Sequence, residues 1–198
     1  ELLLIFDTIG YCVKRAPEVL QDRQLDLHLL KNKKVMVRQA PQGLVVNIAP
    51  WNFPLDLAVN PIVPALIAGN AAIVKPSEWT PLVAVRAVEL MNQAGLPEGL
   101  LQVMPGYGQT GAELIEEADA VSFTGSVATG RKVAVEAARK LIPCTLELGG
   151  KDPAIVLSDA DLERATNGIV FGSYLNSGQV CMSTERVYVH EEVYDVFV

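Results

Sequence analysis

Residues 104–115 read M-P-G-Y-G-Q-T-G-A-E-L-I. An apolar run over 100–104 leads into Gly106-Tyr107-Gly108-Gln109-Thr110-Gly111, and a helix-like stretch follows. A G-x-G-x-x-G between a strand and a helix is the written form of a dinucleotide fingerprint. In the usual dinucleotide fold that motif occupies the first βα turn, and an acid about 20 residues on binds the ribose. Here it follows the third strand of the series described next, and the strand after it, A-V-S-F-T-G-S, carries no acid. The fingerprint stands in the wrong place, so the fold has to be read from what surrounds it.

Outward from this stretch, short β-rich runs alternate with longer amphipathic ones. Strands are expected over 44–48, 71–74, 100–104, 120–123 and 144–148, and helices over 55–68, 81–94, 111–117 and 127–140. The strands are nearly continuous apolar runs, as expected where both faces of a sheet are covered. Consecutive βαβ units of this kind form a parallel sheet with right-handed crossovers. The fold class expected is therefore α/β, a Rossmann-like open parallel sheet with helices on both faces. After Gly150 the rhythm changes to a strand over 151–157, a cap at Ser158-Asp159-Ala160-Asp161 and a helix over 161–174. We read this as the beginning of a second α/β catalytic domain, with residues 1–150 as the nucleotide-binding domain and 151–198 as the start of the next. The first 31 residues carry helix-like spacing broken near Pro17, and 33–41 read as a connecting strand. Both ends look cut: there is no initiator Met, and E-E-V-Y-D-V-F-V reads like the first turns of a helix.

Bulk properties exclude several classes. Half of the 198 residues are hydrophobic and a fifth are charged, ordinary for a folded soluble protein. A net charge of −7 argues against nucleic acid, which needs clustered Lys and Arg. No apolar run approaches the roughly 20 residues of a membrane span, and no signal peptide is visible. Cys12, Cys144 and Cys181 lack C-x-x-C spacing, so no metal is expected and a cytoplasmic location is the default.

Four segments could carry chemistry. Lys75-Pro76-Ser77-Glu78 puts an acid at the end of the second strand, where a ribose-binding carboxylate belongs; it reads equally as a turn capping the next helix. Phe123-Thr124-Gly125-Ser126-Val127-Ala128-Thr129-Gly130 offers a glycine, a hydroxyl and the free N–H groups of a helix start to an anion, or is a plain strand–turn–helix junction. Cys181, in Asn176-Ser177-Gly178-Gln179-Val180-Cys181, stands among polar residues and is either a reactive thiol or a small buried hydrophobe. Cys12 and Cys144 are read as buried. His28 and His190 are poor partners for a thiol. Glu147, flanked by Leu146 and Leu148 at the end of the fifth strand, is the better base if partial burial raises its pKa; otherwise it is an edge ion pair.

Together A-P-W-N-F-P, A-G-N-A-A-I-V-K-P-S-E-W-T-P, F-T-G-S-V-A-T-G, L-E-L-G-G-K and S-G-Q-V-C resemble the NAD(P)-dependent aldehyde dehydrogenase superfamily, in the family's order and over nearly the whole chain. The resemblance implies that Cys181 attacks the aldehyde to give a thiohemiacetal. It makes Asn52 and the Cys181 backbone N–H the oxyanion hole, and Glu147 the base that activates water against the resulting thioester. Lys75 and Glu78 would hold the adenosine ribose, with Glu78 favouring NAD over NADP, although NADP stays possible. Gly125 and Ser126 would meet the pyrophosphate, Gly108 and Gly111 the adenine, and Phe53 the aldehyde tunnel. Trp51, Ser77, Phe123, Gly130 and Leu148 complete the implied cofactor set. The family's Lys in the helix after W-N-F-P is replaced by Pro61, to which no role is given. The implied partners are a small-molecule aldehyde and, for a full-length parent, further copies of itself. The family continues well beyond residue 198, so this piece alone is expected to be inactive. The alternatives are a CoA-acylating relative, in which a thiol takes the acyl group, and a non-catalytic nucleotide-binding relative.

Overall fold

A computed structural model describes residues 1–198 and divides them into two compact units, Glu1–Glu147 and Leu148–Val198. The first is built on a five-stranded sheet of β3 (Leu44–Ile48), β4 (Ala71–Lys75), β5 (Leu101–Val103), β6 (Ala120–Gly125) and β7 (Cys144–Leu148) in the order β5-β4-β3-β6-β7. β3 pairs in parallel with both β4 and β6, and β4 in parallel with β5. The chain thus runs outward from β3 to β5, then returns across β3 to build the other side. All five strands fall where the apolar runs put them.

Successive side chains of β3 point to opposite faces, and each face has its own helices. Asn47 faces α2 (Asp56–Val59): its Nδ2 donates to the carbonyls of Leu57 and Ala58, 3.0 Å each. Ile48 faces the other way, beside Gly111 of α5 (Gly108–Glu117). On the α2 side Ala58, Ile62, Ala72, Val74, Ala84, Val88 and Leu101 form one buried cluster with α3 (Ile62–Ile67) and α4 (Pro81–Gln93). The other face is covered by α5 and α6 (Val127–Lys140), through buried Leu114, Ile115, Val133 and Ala137.

Several expectations need correction. The single helix expected over 55–68 is two short ones, because Pro61 has no N–H to give the carbonyl of Leu57. Asn47 supplies that donor from the strand beneath, which explains a fully buried Asn in a sheet centre. The helix placed at 111–117 starts at Gly108, so the second glycine of the motif opens it. α1 (Leu2–Val19) passes through Pro17 and ends two residues later; Ile5 packs with Val59 and Val63, joined by Cys12. The rest of the supposed helical region holds β1 (Arg23–Leu25), antiparallel to β2 (Val35–Val37), which lies within the connecting strand expected over 33–41. Cys12 and Cys144 are half-buried rather than buried, and burial pushes the Cys144 thiol up.

In the second unit β8 (Asp152–Val156) pairs in parallel with β9 (Thr184–Val189), and α7 (Leu162–Tyr174) connects them through a 3-10 turn at Leu175–Gly178. The Asp161 carboxylate caps α7 by accepting from the Arg164 N–H, as the sequence indicated. α8 (Glu191–Phe197) follows. No helix is long and apolar enough to cross a membrane.

The entry to β3 depends on Asn70. Its Oδ1 accepts from the N–H groups of Gln42 (2.6 Å) and Gly43 (3.1 Å), and its Nδ2 donates to Ala65. Asn70→Ala strands both N–H groups and should lower stability by about 2–4 kcal/mol in urea unfolding. A loss within measurement error would show that water replaces the carbonyl oxygen.

Candidate active site

Where a parallel sheet reverses its strand order, the connections leave in opposite directions and open a crevice at the carboxyl ends of the strands. In the first unit that point lies between β4 and β6, on either side of β3. A cleft of about 560 Å³ opens there. Its walls are the ends of three strands and the starts of two helices: Ile48 to Trp51 after β3, Lys75 to Trp79 after β4, Phe123 to Ser126 at β6, and parts of α5 and α6.

Nine residues singled out from the sequence as cofactor contacts line this one cleft: Trp51, Lys75, Ser77, Glu78, Gly108, Gly111, Phe123, Gly125 and Ser126. Two do not. Gly130 is buried within α6, and Leu148, the last residue of β7, is not among the cleft's walls. Of the α6 wall, Thr129 falls within the segment quoted through Gly130, whereas the sequence reading missed Lys132, Val133 and Glu136, on the same side of the helix behind the F-T-G-S turn. Their spacing of three and four residues was the available signal. Trp79, which the sequence reading gave no role, is also on the cleft and largely exposed.

The charged pair of the cleft is asymmetric. Lys75 is buried, at 4% exposure, and its Nζ donates to the Pro76 carbonyl at 2.8 Å. Glu78 is half-exposed, its carboxylate 3.9 Å from that ammonium. Burial pulls the Lys75 pKa below 10.5, and Glu78 offsets part of this. A buried ammonium with one backbone partner and a distant carboxylate keeps donor capacity for a ligand.

The glycines divide by what their missing side chains do. A Cβ on Gly125 would sit 2.6 Å from the Phe123 ring, so that glycine is needed for the strand end to pack on itself. A Cβ on Gly111 would meet Ile48 and Lys75 at ordinary contact distance, and one on Gly108 would meet nothing within 4 Å. Packing does not demand glycine at either position, yet both face the cleft. Their bareness leaves room for a ligand against the start of α5. The Ser126 hydroxyl, expected to be offered to a phosphate, caps α6: its Oγ accepts from the Thr129 N–H at 3.2 Å and lies 3.1 Å from the Thr129 hydroxyl.

The residues expected to do chemistry are distributed over both units. Asn52 is half-buried in the bend after Trp51, and Glu147 is exposed near the end of β7. Glu147 thus lacks, in this chain, the partial burial that its flanking leucines suggested. In the second unit Cys181 is exposed. It occupies the first corner of a turn closed by the Ser183 N–H on the Val180 carbonyl at 3.0 Å, and its own carbonyl lies beside Gly150.

The model of the aldehyde dehydrogenase family matches residues 1–198. The chain belongs to the aldehyde dehydrogenase family. Among its relatives, the 4,4'-diapolycopene aldehyde oxidase of a Methylomonas species is 45% identical over the whole chain, which spans 38% of that protein. A mitochondrial aldehyde dehydrogenase of Leishmania tarentolae is 47% identical over 82% of the chain and 34% of its own length. Among solved structures, the lactaldehyde dehydrogenase of Escherichia coli superposes with a TM-score of 0.93 at 38% identity, over 98% of this chain and 41% of that one. The NAD-dependent aldehyde dehydrogenase of Sinorhizobium meliloti gives 0.91 at 37%, over 98% and 39%. This chain thus spans about two-fifths of the length of such relatives, and its five-stranded sheet matches their Rossmann-like domain.

Two outcomes follow. Gly125→Ala should cost about 1–3 kcal/mol by pushing Phe123 aside, whereas Gly108→Ala should stay within about 0.5 kcal/mol; equal effects in thermal unfolding would contradict the division. Because the folded-state pKa of Lys75 is depressed, the unfolded chain binds more protons between that value and 10.5. Its contribution is therefore fullest above 10.5 and is lost as pH falls through the folded value. Lys75→Met should abolish this alkaline rise in stability relative to the parent chain, and an unchanged difference across that window would refute the assignment.

Proposed function

We propose that the complete protein oxidises an aldehyde to a carboxylic acid with NAD, using Cys181 as nucleophile. The observation that carries the reading is the cleft at the strand reversal, which gathers Lys75, Glu78, Gly108, Gly111 and Ser126, on a chain that also holds Asn52, Glu147 and Cys181 in the family's motifs.

The cleft suits a dinucleotide. Lys75 has donors to spare for a ribose hydroxyl, and Glu78 accepts from the other. The Glu78 charge repels a 2′-phosphate, which favours NAD over NADP. Gly108 and Gly111 leave the start of α5 bare for a flat base, and α6 begins at the cleft, behind Ser126, where a pyrophosphate would gain from a helix start.

The chemistry belongs to the thiolate. The Cys181 Sγ adds to the aldehyde carbon, forming the C–S bond while the carbonyl π pair moves to oxygen. Asn52 Nδ2 and the Cys181 backbone N–H donate to that oxyanion, and such donors commonly contribute about 3–4 kcal/mol in the transition state. The chemistry that a bound nicotinamide dinucleotide supplies is acceptance of the hydride from the same carbon. Cys181 then holds the acyl group as a thioester. Glu147 takes a proton from water, the hydroxide adds to the thioester carbon, and the C–S bond breaks to return the thiolate. A thiolate serves both halves, as a strong nucleophile and then a good leaving group. The relatives' names differ in the aldehyde, from betaine aldehyde to lactaldehyde, so no single substrate is assigned.

The test is NADH release by the complete protein against a panel of aldehydes. Cys181→Ser should abolish turnover, and Glu147→Gln should slow it about 100-fold or more after a first burst of NADH. Glu78→Gln should improve the use of NADP relative to NAD about 10-fold. Retained turnover in Cys181→Ser would overturn the mechanism. Acyl-CoA in place of acid as the product would move the protein to the CoA-acylating class. NAD binding with no reduction by any aldehyde would make it a binding module.

A further inference from the structure

Within the second unit the segment that bears Cys181 is fastened in an unusual way. Asn176, Ser177 and Gly178 are all left-handed, at φ 52°, 60° and 77°. Two consecutive non-glycine residues in that region are unfavourable and persist only where their surroundings hold them. They turn the chain back sharply after α7, and Gly178 comes so close that a Cβ there would lie 3.2 Å from the Ser173 carbonyl oxygen.

The other end of the segment returns to the same place. Ser183 is buried, at 6% exposure, and its hydroxyl faces the carbonyls of Gly172 (3.2 Å) and Ser173 (3.1 Å), one hydrogen shared between two acceptors. Both carbonyls lie in the last turn of α7, where no intrahelical donor reaches them. The Ser183 N–H closes the turn on Val180, and the Ser173 hydroxyl donates to the Thr184 carbonyl just beyond. Cys181 therefore sits on a short arch whose two feet, Gly178 and Ser183, stand on one helix end. Its exposed side chain takes its direction from that arch.

We propose that Ser183 is a positioning residue for Cys181: by tying the turn to the α7 terminus it fixes the direction in which the thiolate is presented. The proposal rests on the reading of Cys181 as nucleophile. Ser183 touches neither substrate nor cofactor, and its effect passes wholly through the backbone of the turn. Without its hydroxyl, two part-buried carbonyls lose their donor and one foot of the arch is freed, while the fold of α7 and β9 persists.

The experiment compares Ser183→Ala with Asp161→Ala in the complete protein. The second variant weakens the same helix from its opposite end, by removing the cap on Arg164. For each, kcat, KM for NAD, melting temperature and the pH profile of iodoacetamide alkylation of Cys181 are measured. Ser183→Ala should lower kcat about 10- to 100-fold with KM for NAD unchanged, since a small misplacement of a reacting group has that effect, and should displace the alkylation profile. Asp161→Ala should lower the melting temperature alone. Equal kinetic losses in the two variants, or a stability loss in Ser183→Ala with kcat and alkylation unchanged, would overturn the proposal. Should Ser183→Ala fail to fold, Gly178→Ala at the other foot carries the test with the same expected signature. Cys181→Ser is run alongside: if it retains turnover, the nucleophile reading fails, whereas an inactive Cys181→Ser beside an unaffected Ser183→Ala removes only the positioning role.

Discussion

The central strand Leu44–Ile48 has to serve two directions at once, and the rest of the first unit depends on that constraint. Its parallel neighbours β4 and β6 carry chain that leaves it and chain that returns to it. Their connections cannot fill the same space, so a crevice opens at the carboxyl end of β3. The two faces of the strand are divided just as sharply. Asn47 spends its amide donors on the helix break at Pro61, which lets the segment after Asn52 fold tightly on the sheet. Ile48, on the opposite face, supports the start of α5 at Gly111. One strand thereby sets both the bend that carries Asn52 and the floor of the cleft.

The same geometry explains why the G-x-G-x-x-G sequence is misleading. Its glycines lie at the end of an edge strand, away from the reversal, and reach the cleft only because α5 crosses back over β3. Gly108 opens that helix and Gly111 lies beside Ile48 and Lys75. The anion-favouring helix start on the cleft belongs to α6, behind Ser126. A motif defined by spacing cannot distinguish these places, because spacing along the chain says nothing about the order of strands in the sheet.

Much of this was legible in the sequence. Parallel strands covered on both sides must be apolar along their length, and that property located all five. Helix ends were readable where a side chain caps, as at Asp161, or where Pro81 opens a helix. What was not legible depended on tertiary partners. The break at Pro61 needs Asn47 to answer the freed carbonyl, and nothing local announces that. The pairing of β1 with β2 involves three residues each, all but Val37 exposed, too few to register as a pattern. The exposure of Glu147 could not be seen either, since its flanking leucines suggest burial that only a neighbouring element could supply. The α6 wall at Lys132, Val133 and Glu136 lies beyond the motif that ends at Gly130, and only its spacing of three and four residues places it on one side of the helix. The left-handed run at Asn176-Ser177-Gly178 was invisible for a different reason: asparagine and glycine tolerate the conformation singly, but nothing local announces three such residues in a row with a serine between them.

The central claim is that a thiolate on Cys181 takes the acyl group of an aldehyde. Mass spectrometry of the complete Glu147→Gln protein, quenched shortly after mixing with NAD and an aldehyde, tests it most directly. The account predicts a covalent adduct on the Cys181 peptide with the mass of the aldehyde less two hydrogens, absent when NAD is omitted. NADH formation with no such adduct, or with the adduct on Cys12 or Cys144, would contradict it.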